Sequence, residues 1–198
     1  MKVDPYILIG GASRRFGCDK ATFEFEGETL AGRAVRLVET ALVGSTATFV
    51  AAGKNQFDTL NNRRTISDAI PGLGAFGAVS TALAHASAEW TFVLACDLPF
   101  VSDGFLRLLA SLADEDYDVI VPVQPDGRWQ PVCALYHTAR CRDVFKQAIS
   151  DRECVPSLRA IIDSLNARIV TFAEYSTLDE AEHLLQNINE RADLARRP

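Results

Sequence analysis

The stretch Pro5-Tyr6-Ile7-Leu8-Ile9-Gly10-Gly11 joins a short apolar run directly to two glycines. A run that is apolar almost throughout is typical of a strand buried on both faces, as in a parallel sheet. Glycines directly after such a strand allow the backbone to turn sharply. The stretch therefore predicts a central strand with a tight turn at its carboxyl end.

Strand-like and helix-like segments alternate along the rest of the chain. The alternation predicts a three-layer α/β/α fold, in which a mostly parallel sheet has helices on both faces. The predicted strands are Pro5–Ile9, Thr46–Ala52, Arg64–Ser67, Trp90–Cys96, Tyr117–Val123, Pro131–Tyr136 and Ala167–Phe172. The predicted helices are Leu30–Leu42, Ala75–Ala86, Asp103–Ala113 with Ser102 as its N-cap, Ala139–Ile149, Pro156–Ser164 and Leu178–Gln186. No linker interrupts the pattern, and we expect one domain over residues 1–198.

The composition limits the classes of partner. The chain has 198 residues and a formal net charge of −6, whereas proteins with a broad nucleic-acid surface usually carry a basic excess. No apolar stretch approaches the roughly 20 residues that span a bilayer, and no signal-peptide pattern is present. Five cysteines without a CxxC pair indicate reduced thiols. We expect a cytoplasmic protein without a nucleic-acid or membrane partner.

The loop from Gly10 to Lys20 has the composition of a phosphate site. Gly10 and Gly11 can bring backbone N–H groups close to a ligand, and Arg14, Arg15 and Lys20 add positive charge. An oligophosphate needs both the donors and the cations. The spacing matches neither G-x-x-x-x-G-K-[ST] nor G-x-G-x-x-G. From composition alone, a surface loop with solvated basic side chains is the alternative.

Two aspartates follow predicted strands, as the loop does. Asp68 follows Arg64–Ser67, and Asp97 follows Cys96. Ligands of open α/β sheets bind at the carboxyl ends of the strands, so we expect one shared site there. A carboxylate oxygen suits Mg²⁺, which makes Asp97 a candidate metal ligand. The alternatives are structural: Asp68 as the cap of a turn, and Asp97 satisfied by backbone amides.

Residues Leu8 to Lys20 resemble the signature L-A-G-G-x-S-x-R-x-G-x-D-K of the MobA family, the molybdenum cofactor guanylyltransferases, and of their close nucleotidyltransferase relatives. The residues in register are Gly10, Gly11, Ser13, Arg15, Gly17, Asp19 and Lys20, and Ile9 departs from the usual alanine. Four further segments resemble family motifs: Asp68–Gly77, in which Ala75-Phe76 replaces Pro-Leu, Cys96–Phe100, Gln130–Tyr136, and Asn187–Leu194, in which Glu190-Arg191-Ala192 departs from Thr-Pro-Glu.

The resemblance implies a Rossmann-like fold of the nucleotide-diphospho-sugar transferase type. It also implies transfer of GMP from GTP to molybdenum-bearing molybdopterin with release of pyrophosphate, Mg²⁺ as cofactor, and protein partners in cofactor delivery. The implied catalytic residues are Arg15, Lys20 and Asp97, with Asp97 as the metal ligand. The implied nucleotide-binding residues are Leu8, Ile9, Gly10, Gly11, Lys20, Asp68, Asp97, Asn187 and Asn189.

One departure from the family pattern concerns which nucleotide base the protein binds. Family members that use GTP often carry an asparagine after the second strand, where this chain has Ala51-Ala52, and Asn55 could replace it only if the loop shifts. Guanine is therefore an inference from the family. A cytidylyltransferase, another nucleotidyltransferase of the same fold, and a partner-binding homologue without catalysis are the alternatives.

Overall fold

The computed structural model describes residues 1–10, 19–51, 59–60, 62–150, 155–188 and 193. Its strands lie in one eight-stranded sheet and a short two-stranded hairpin. The strands of the large sheet are β1 (Val3–Ile9), β4 (Thr48–Ala51), β5 (Thr59–Leu60), β6 (Arg63–Ser67), β7 (Trp90–Ala95), β8 (Val119–Pro122), β9 (Cys133–His137) and β10 (Ala167–Val170). The hairpin consists of β2 (Glu24–Phe25) and β3 (Glu28–Thr29).

The large sheet has the strand order β10-β8-β9-β7-β1-β4-β6-β5. Strand β1 pairs in parallel with β7 and β4, β4 with β6, and β8 with β10. Strands β9 and β5 run against their neighbours. The prediction of a mostly parallel sheet is confirmed. Strand β9 is the reversed strand in its centre, a direction that hydrophobic pattern alone does not encode.

Helices cover both faces of the sheet. They are α1 (Leu30–Ala41), α2 (Gly74–His85), α3 (Asp103–Ser111), α4 (Thr138–Ser150), α5 (Leu158–Asp163) and α6 (Phe172–Tyr175). Along β1, Ile7 and Ile9 pack in the core on the side of α1 and α3, and Tyr6 and Leu8 pack on the side of α2, α4 and α5. The three-layer prediction is therefore confirmed. In the described part of the chain, none of the helices has the length and apolar character that a membrane span needs.

Several elements differ from the predictions. The helix predicted over Leu178–Gln186 is wrong, because this segment forms successive turns with bonds from Ala181 N to Leu178 O and from His183 N to Glu180 O. Its backbone leaves the helical region at Glu180, where φ is +53°. The apolar residues of the segment still enter the core, since Leu184 is fully buried. The β2–β3 hairpin, β5 and α6 were missed because each is too short to carry a period.

Helix α2 packs closely on the turn that follows β6. A Cβ atom added to Gly77 would lie 2.6 Å from the carbonyl oxygen of Ile70 and 3.1 Å from both carboxylate oxygens of Asp68. Backbone rather than a flexible side chain is the nearer neighbour, so the turn would have to move to admit a methyl group. Gly77 therefore fixes how closely α2 approaches the Asp68 turn.

Gly77→Ala should lower the free energy of unfolding by about 1–3 kcal/mol, because overpacking at this contact displaces the Asp68 turn. Urea unfolding followed by circular dichroism measures the change. Gly104→Ala in α3 is the matched control, since its Cβ would meet only the Ser102 hydroxyl at 3.9 Å. Equal effects of the two substitutions would contradict the packing argument.

A capping box at the start of α6 stabilises the junction between β10 and α6. The Glu174 carboxylate accepts hydrogen bonds from the backbone N–H of Thr171 at 2.8 Å and from its hydroxyl at 2.9 Å, and forms an ion pair with Arg168. The Arg168 guanidinium and then the Thr171 donors lower the pKa of Glu174 from 4.5 to about 2. The ionised carboxylate is therefore the form that stabilises this junction.

A depressed folded-state pKa contributes stability that is present above the unfolded pKa of 4.5 and is lost as the pH falls toward about 2. Glu174→Gln should therefore be less stable than the wild type by about 1 kcal/mol near pH 7, a figure discounted for partial exposure, and the difference should shrink in acid. Urea unfolding at several pH values measures it. Glu182→Gln, at an exposed position of the same segment, is the control, and a pH-independent difference would contradict the assignment.

Candidate active site

An ion pair joins the ends of two distant segments. Lys20 Nζ lies 3.1 Å from Asp97 Oδ2 across 77 positions of sequence, and the two side chains are 15% and 23% exposed. Partial exposure leaves both charges accessible to a ligand while the low local polarity strengthens their interaction. The pair brings together two residues for which the sequence predicts catalytic roles.

The sheet places Asp97 at this position. Strand β7 is buried along Trp90–Leu94, and it pairs with β1 from Val3↔Trp90 to Leu8↔Ala95. The pairing extends one step further, because Cys96 N donates to Leu8 O at 3.1 Å. The chain then turns, with a bond from Leu98 N to Ala95 O at 3.3 Å. Asp97 therefore leaves the sheet at its carboxyl edge, directly beside the end of β1.

Lys20 is held by a short capped turn. The Asp19 carboxylate accepts from Ala21 N at 2.9 Å and caps the 3-10 turn Lys20–Thr22. Ala21 is fully buried under this turn, and Phe23 N closes it on Lys20 O at 3.1 Å. The cap and the buried alanine fix the backbone from which the Lys20 side chain reaches Asp97.

The C-terminal segment supplies the second partner of Asp97. Asn187 Nδ2 donates to Asp97 Oδ1 at 3.1 Å, and Ile188 N donates to Asp97 O at 2.9 Å. The structure thus brings Asn187 and Lys20 to the two carboxylate oxygens of Asp97.

Gln130 is a residue of this site that the sequence reasoning did not include. It is 5% exposed, and its Nε2 donates to Asn187 Oδ1 at 2.9 Å and to Leu185 O at 3.1 Å. The only sequence signal was its place at the start of the Gln130–Tyr136 motif. A buried amide that bonds a residue 57 positions away cannot be read from local pattern.

Three residues at the end of β1, Leu8, Ile9 and Gly10, are predicted to bind the nucleotide. Leu8 and Ile9 are buried on opposite faces of the sheet. Gly10 is exposed at the end of the strand with φ of +94°, a conformation that favours glycine. Arg15, Gly11 and Asn189 lie outside the described residues, and their predicted roles stay predictions.

Asp68 lies on the same edge but farther along the sheet. It follows β6, which is separated from β7 by β4 and β1, so about 14 Å of sheet lies between the two strand ends. Asp68 is 9% exposed, and its Oδ1 accepts from Ile70 N at 2.9 Å and from the Thr81 hydroxyl at 3.1 Å. The capping role named as its alternative is therefore present, and within the described part of the chain no group donates a hydrogen bond to Oδ2.

Arg33 ties the hairpin to the loop after Asp97. Its Nε donates to Pro99 O at 2.7 Å, its Nη1 lies 3.1 Å from both Glu26 and Glu28, and its guanidinium lies 5.3 Å from the Phe25 ring centre. Phe25 in turn contacts Phe100 edge-on, at 5.8 Å between ring centres. These contacts join the β2–β3 hairpin, which follows Lys20, to the loop that follows Asp97.

The thiol of Cys96, the residue before Asp97, is not a candidate nucleophile. Cys96 is buried directly before Asp97, and burial, with the Asp97 charge second, raises the pKa of its thiol. Since the thiolate is the nucleophilic form of cysteine, a thiol with a raised pKa is inert near neutral pH. The reactive groups of the described site are therefore a carboxylate, an ammonium group, an amide and backbone donors.

The donor set fits a hard cation that arrives with a phosphate ligand. Each oxygen of Asp97 accepts one described hydrogen bond, from Asn187 or from Lys20, and a carboxylate oxygen carries a further lone pair. Mg²⁺ in proteins takes one or two carboxylates together with water and substrate phosphates. Asp97 can supply that carboxylate, and Lys20 has a positive charge of the kind that phosphates need.

The chain is similar to known nucleotidyltransferases. It is 26% identical over 190 residues to the "Molybdenum cofactor guanylyltransferase" of Desulfosudis oleivorans, and the alignment covers 95% of this chain and 90% of that protein. It is 30% identical over 150 residues to a "Probable molybdenum cofactor guanylyltransferase" of Geobacillus sp. (strain WCH70), covering 73% of this chain and 75% of the relative.

Solved structures show the same fold. The crystal structure of "Molybdopterin-guanine dinucleotide biosynthesis protein A" from Archaeoglobus fulgidus superposes with a TM-score of 0.78 at 23% identity, covering 98% of this chain and 95% of that one. The family model described as the MobA-like NTP transferase domain matches residues 6–169, which include Lys20, Asp68, Asp97 and the part of β1 from Tyr6 onward. The chain belongs to the MobA-like NTP transferase family, the nucleotidyltransferases whose signature begins at Leu8.

Proposed function

We propose that the protein is a molybdenum cofactor guanylyltransferase, which transfers GMP from GTP to molybdenum-bearing molybdopterin and releases pyrophosphate. Two relatives that align with most of the chain carry this activity in their names. The observation that carries the proposal is the Lys20–Asp97 ion pair at the carboxyl end of β7. It places a cation, and a carboxylate of the kind that binds Mg²⁺, beside Gly10.

The reaction asks little covalent chemistry of the protein. An oxygen of the acceptor phosphate attacks the α-phosphorus of GTP, the new P–O bond forms, and the bond to the β-phosphate bridging oxygen breaks. The electron pair of that bond leaves with pyrophosphate. A phosphate monoester is already anionic near neutral pH, so the attack needs no general base. Catalysis then rests on positioning and on neutralising charge.

The described residues can supply both requirements. Without substrate, Lys20 has Asp97 as a counter-ion. When the triphosphate binds, the Lys20 ammonium turns to its oxygens and to the departing pyrophosphate, and the Gly10 region and Arg15 add further donors. Asp97 would hold Mg²⁺, which would neutralise phosphate charge when bound. Asp68, with Oδ2 available, would accept hydrogen bonds from the base or the ribose.

The cellular setting is part of the proposal. The free thiols Cys96, Cys133 and Cys141 are all buried, which suits the reducing cytoplasm. Partner proteins would deliver the acceptor and collect the product, because a molybdenum-bearing pterin is a reactive cargo. The residues 1–198 would act as one nucleotidyltransferase domain.

Asp97→Asn tests the catalytic assignment. The substitution keeps the shape but removes the charge that would hold the metal and orient Lys20, so kcat should fall at least about 100-fold. Release of pyrophosphate from GTP, Mg²⁺ and molybdenum-bearing molybdopterin measures it.

Asp103→Asn provides the matched control, since Asp103 forms an ion pair with Arg107 on the surface of α3 and lies outside the proposed site. It should retain the wild-type rate. Asp97→Asn with a wild-type rate and an unchanged melting temperature would remove Asp97 from the mechanism.

A nucleotide panel tests the base and the reaction. The wild-type protein should use GTP with a kcat/KM about 10–100 times that for CTP, because a purine pocket that hydrogen-bonds one base leaves polar groups unpaired with another. ATP and UTP complete the panel, with the acceptor and Mg²⁺ held constant.

Each other result has a defined meaning. Preference for CTP would favour the cytidylyltransferase alternative. Binding of a triphosphate by calorimetry without transfer to the acceptor would favour a homologue that binds partners without catalysis.

A further inference from the structure

Two side-chain amides, linked by hydrogen bonds, lead from a backbone carbonyl to Asp97. Leu185 O accepts from Gln130 Nε2 at 3.1 Å, Asn187 Oδ1 accepts from the same nitrogen at 2.9 Å, and Asn187 Nδ2 donates to Asp97 Oδ1 at 3.1 Å. Gln130 is itself fixed, because its backbone N–H bonds Pro122 O and its carbonyl accepts from Cys133 N. This chain of hydrogen bonds therefore begins and ends on rigid parts of the fold.

The direction of this chain is determined at its first member. A backbone carbonyl can only accept a hydrogen bond, so the NH₂ end of Gln130, and not its oxygen, must face Leu185. That NH₂ group also meets Asn187, which must present its oxygen in return. The opposite, NH₂ end of Asn187 then faces Asp97. Each amide has two ends of nearly equal shape, and the Leu185 carbonyl selects one orientation for both.

The selected orientation matters for Asp97. Asn187 holds Oδ1 and Lys20 holds Oδ2, so the plane of the carboxylate is set from both sides. If Asn187 were turned over, its oxygen would face Oδ1, and the two acceptors would repel each other. The carboxylate would then rotate or move away from its position beside the end of β1.

We propose that Gln130 is a positioning residue for nucleotidyl transfer, which acts by holding the Asn187 amide with its NH₂ group toward Asp97. The proposal rests on the proposed function for its kinetic consequences, but the orientation of Asn187 is testable without it. Gln130 touches neither the nucleotide nor the reacting atoms in this scheme. It keeps the Asp97 carboxylate in the geometry that the Mg²⁺–triphosphate complex needs.

Two substitutions at Gln130 separate orientation from packing. Gln130→Met keeps the length of the side chain but removes both donors, so Asn187 is oriented only by its bond to Asp97 and is held less firmly. Gln130→Glu keeps the shape but replaces the donor with an acceptor, so it favours the inverted Asn187. We expect kcat to fall about 10-fold for Gln130→Met and about 100-fold for Gln130→Glu, the range seen when residues that orient metal ligands are changed.

The Mg²⁺ dependence is the readout that a merely structural role would not move. The Mg²⁺ concentration for half-maximal rate should rise in both variants, and more in Gln130→Glu, while the KM for GTP changes less than about threefold. Thr91→Val is the control, because it removes another buried hydrogen bond, to Thr138 at 2.9 Å, at the far end of β7. It should lower the melting temperature but leave the Mg²⁺ dependence unchanged.

A second measurement does not require turnover. In ¹⁵N-labelled protein, the side-chain NH₂ signals of Asn187, assigned with Asn187→Asp, should exchange slowly in the wild type and faster in Gln130→Met. The proposal is overturned if the Asn187 signals are the same in wild type and both variants, or if folded variants keep the wild-type kcat and Mg²⁺ dependence. If the wild type transfers no nucleotide to the acceptor, the proposed function fails, and the Asn187 signals still decide the role of Gln130.

Discussion

The parallel pairing of β1 with β7 is the constraint on which the rest of the site depends. It runs from Val3↔Trp90 to Leu8↔Ala95 and is extended by the bond from Cys96 N to Leu8 O. Because side chains alternate along a strand, a shift of one residue would exchange the two faces of β1 and bury the wrong set. The register therefore places Gly10 and Asp97 side by side. Gly10 and Asp97 lie close together because only this alignment of β1 and β7 buries the correct side chains in both hydrophobic cores.

Asp97 also depends on a segment that comes late in the chain. The turns over 178–186 bury Leu184 and Leu185 against the sheet, and this brings Leu185 O, Asn187 and Ile188 to the loop after β7. Arg33 holds the same loop two residues further on, through Pro99 O. The backbone on which Asp97 lies is therefore bonded at both Asp97 O and Pro99 O. In the proposed reaction, the backbone stays in place and the Lys20 side chain changes partners.

The sequence was sufficient for those features that have a local cause. Alternating apolar runs predicted the layers, and Ser102 predicted the start of α3. Long-range features were not accessible in this way. The reversed direction of β9, the role of Gln130 and the turns after Leu178 depend on partners far away in the chain or on one residue, Glu180, in an uncommon backbone conformation. Local apolar spacing at Leu178–Gln186 reflected burial, and burial alone does not require a helix.

The site divides into two parts with different physical demands. In the proposed function, charge and backbone donors at the ends of β1 and β7 bind phosphates, which every nucleoside triphosphate carries. This part can therefore be recognised from motif residues such as Lys20 and Asp97. At the ends of β4 and β6, about 14 Å of sheet away from Asp97, contacts must distinguish one base edge from another. Two of the departures from the family pattern lie toward this second part: Ala51 ends β4, and Phe76 packs in the core, where its ring stacks on that of Phe145 at 5.0 Å. In this proposal, residues on different strands carry out the transfer and select the base, so changes in one part need not alter the other.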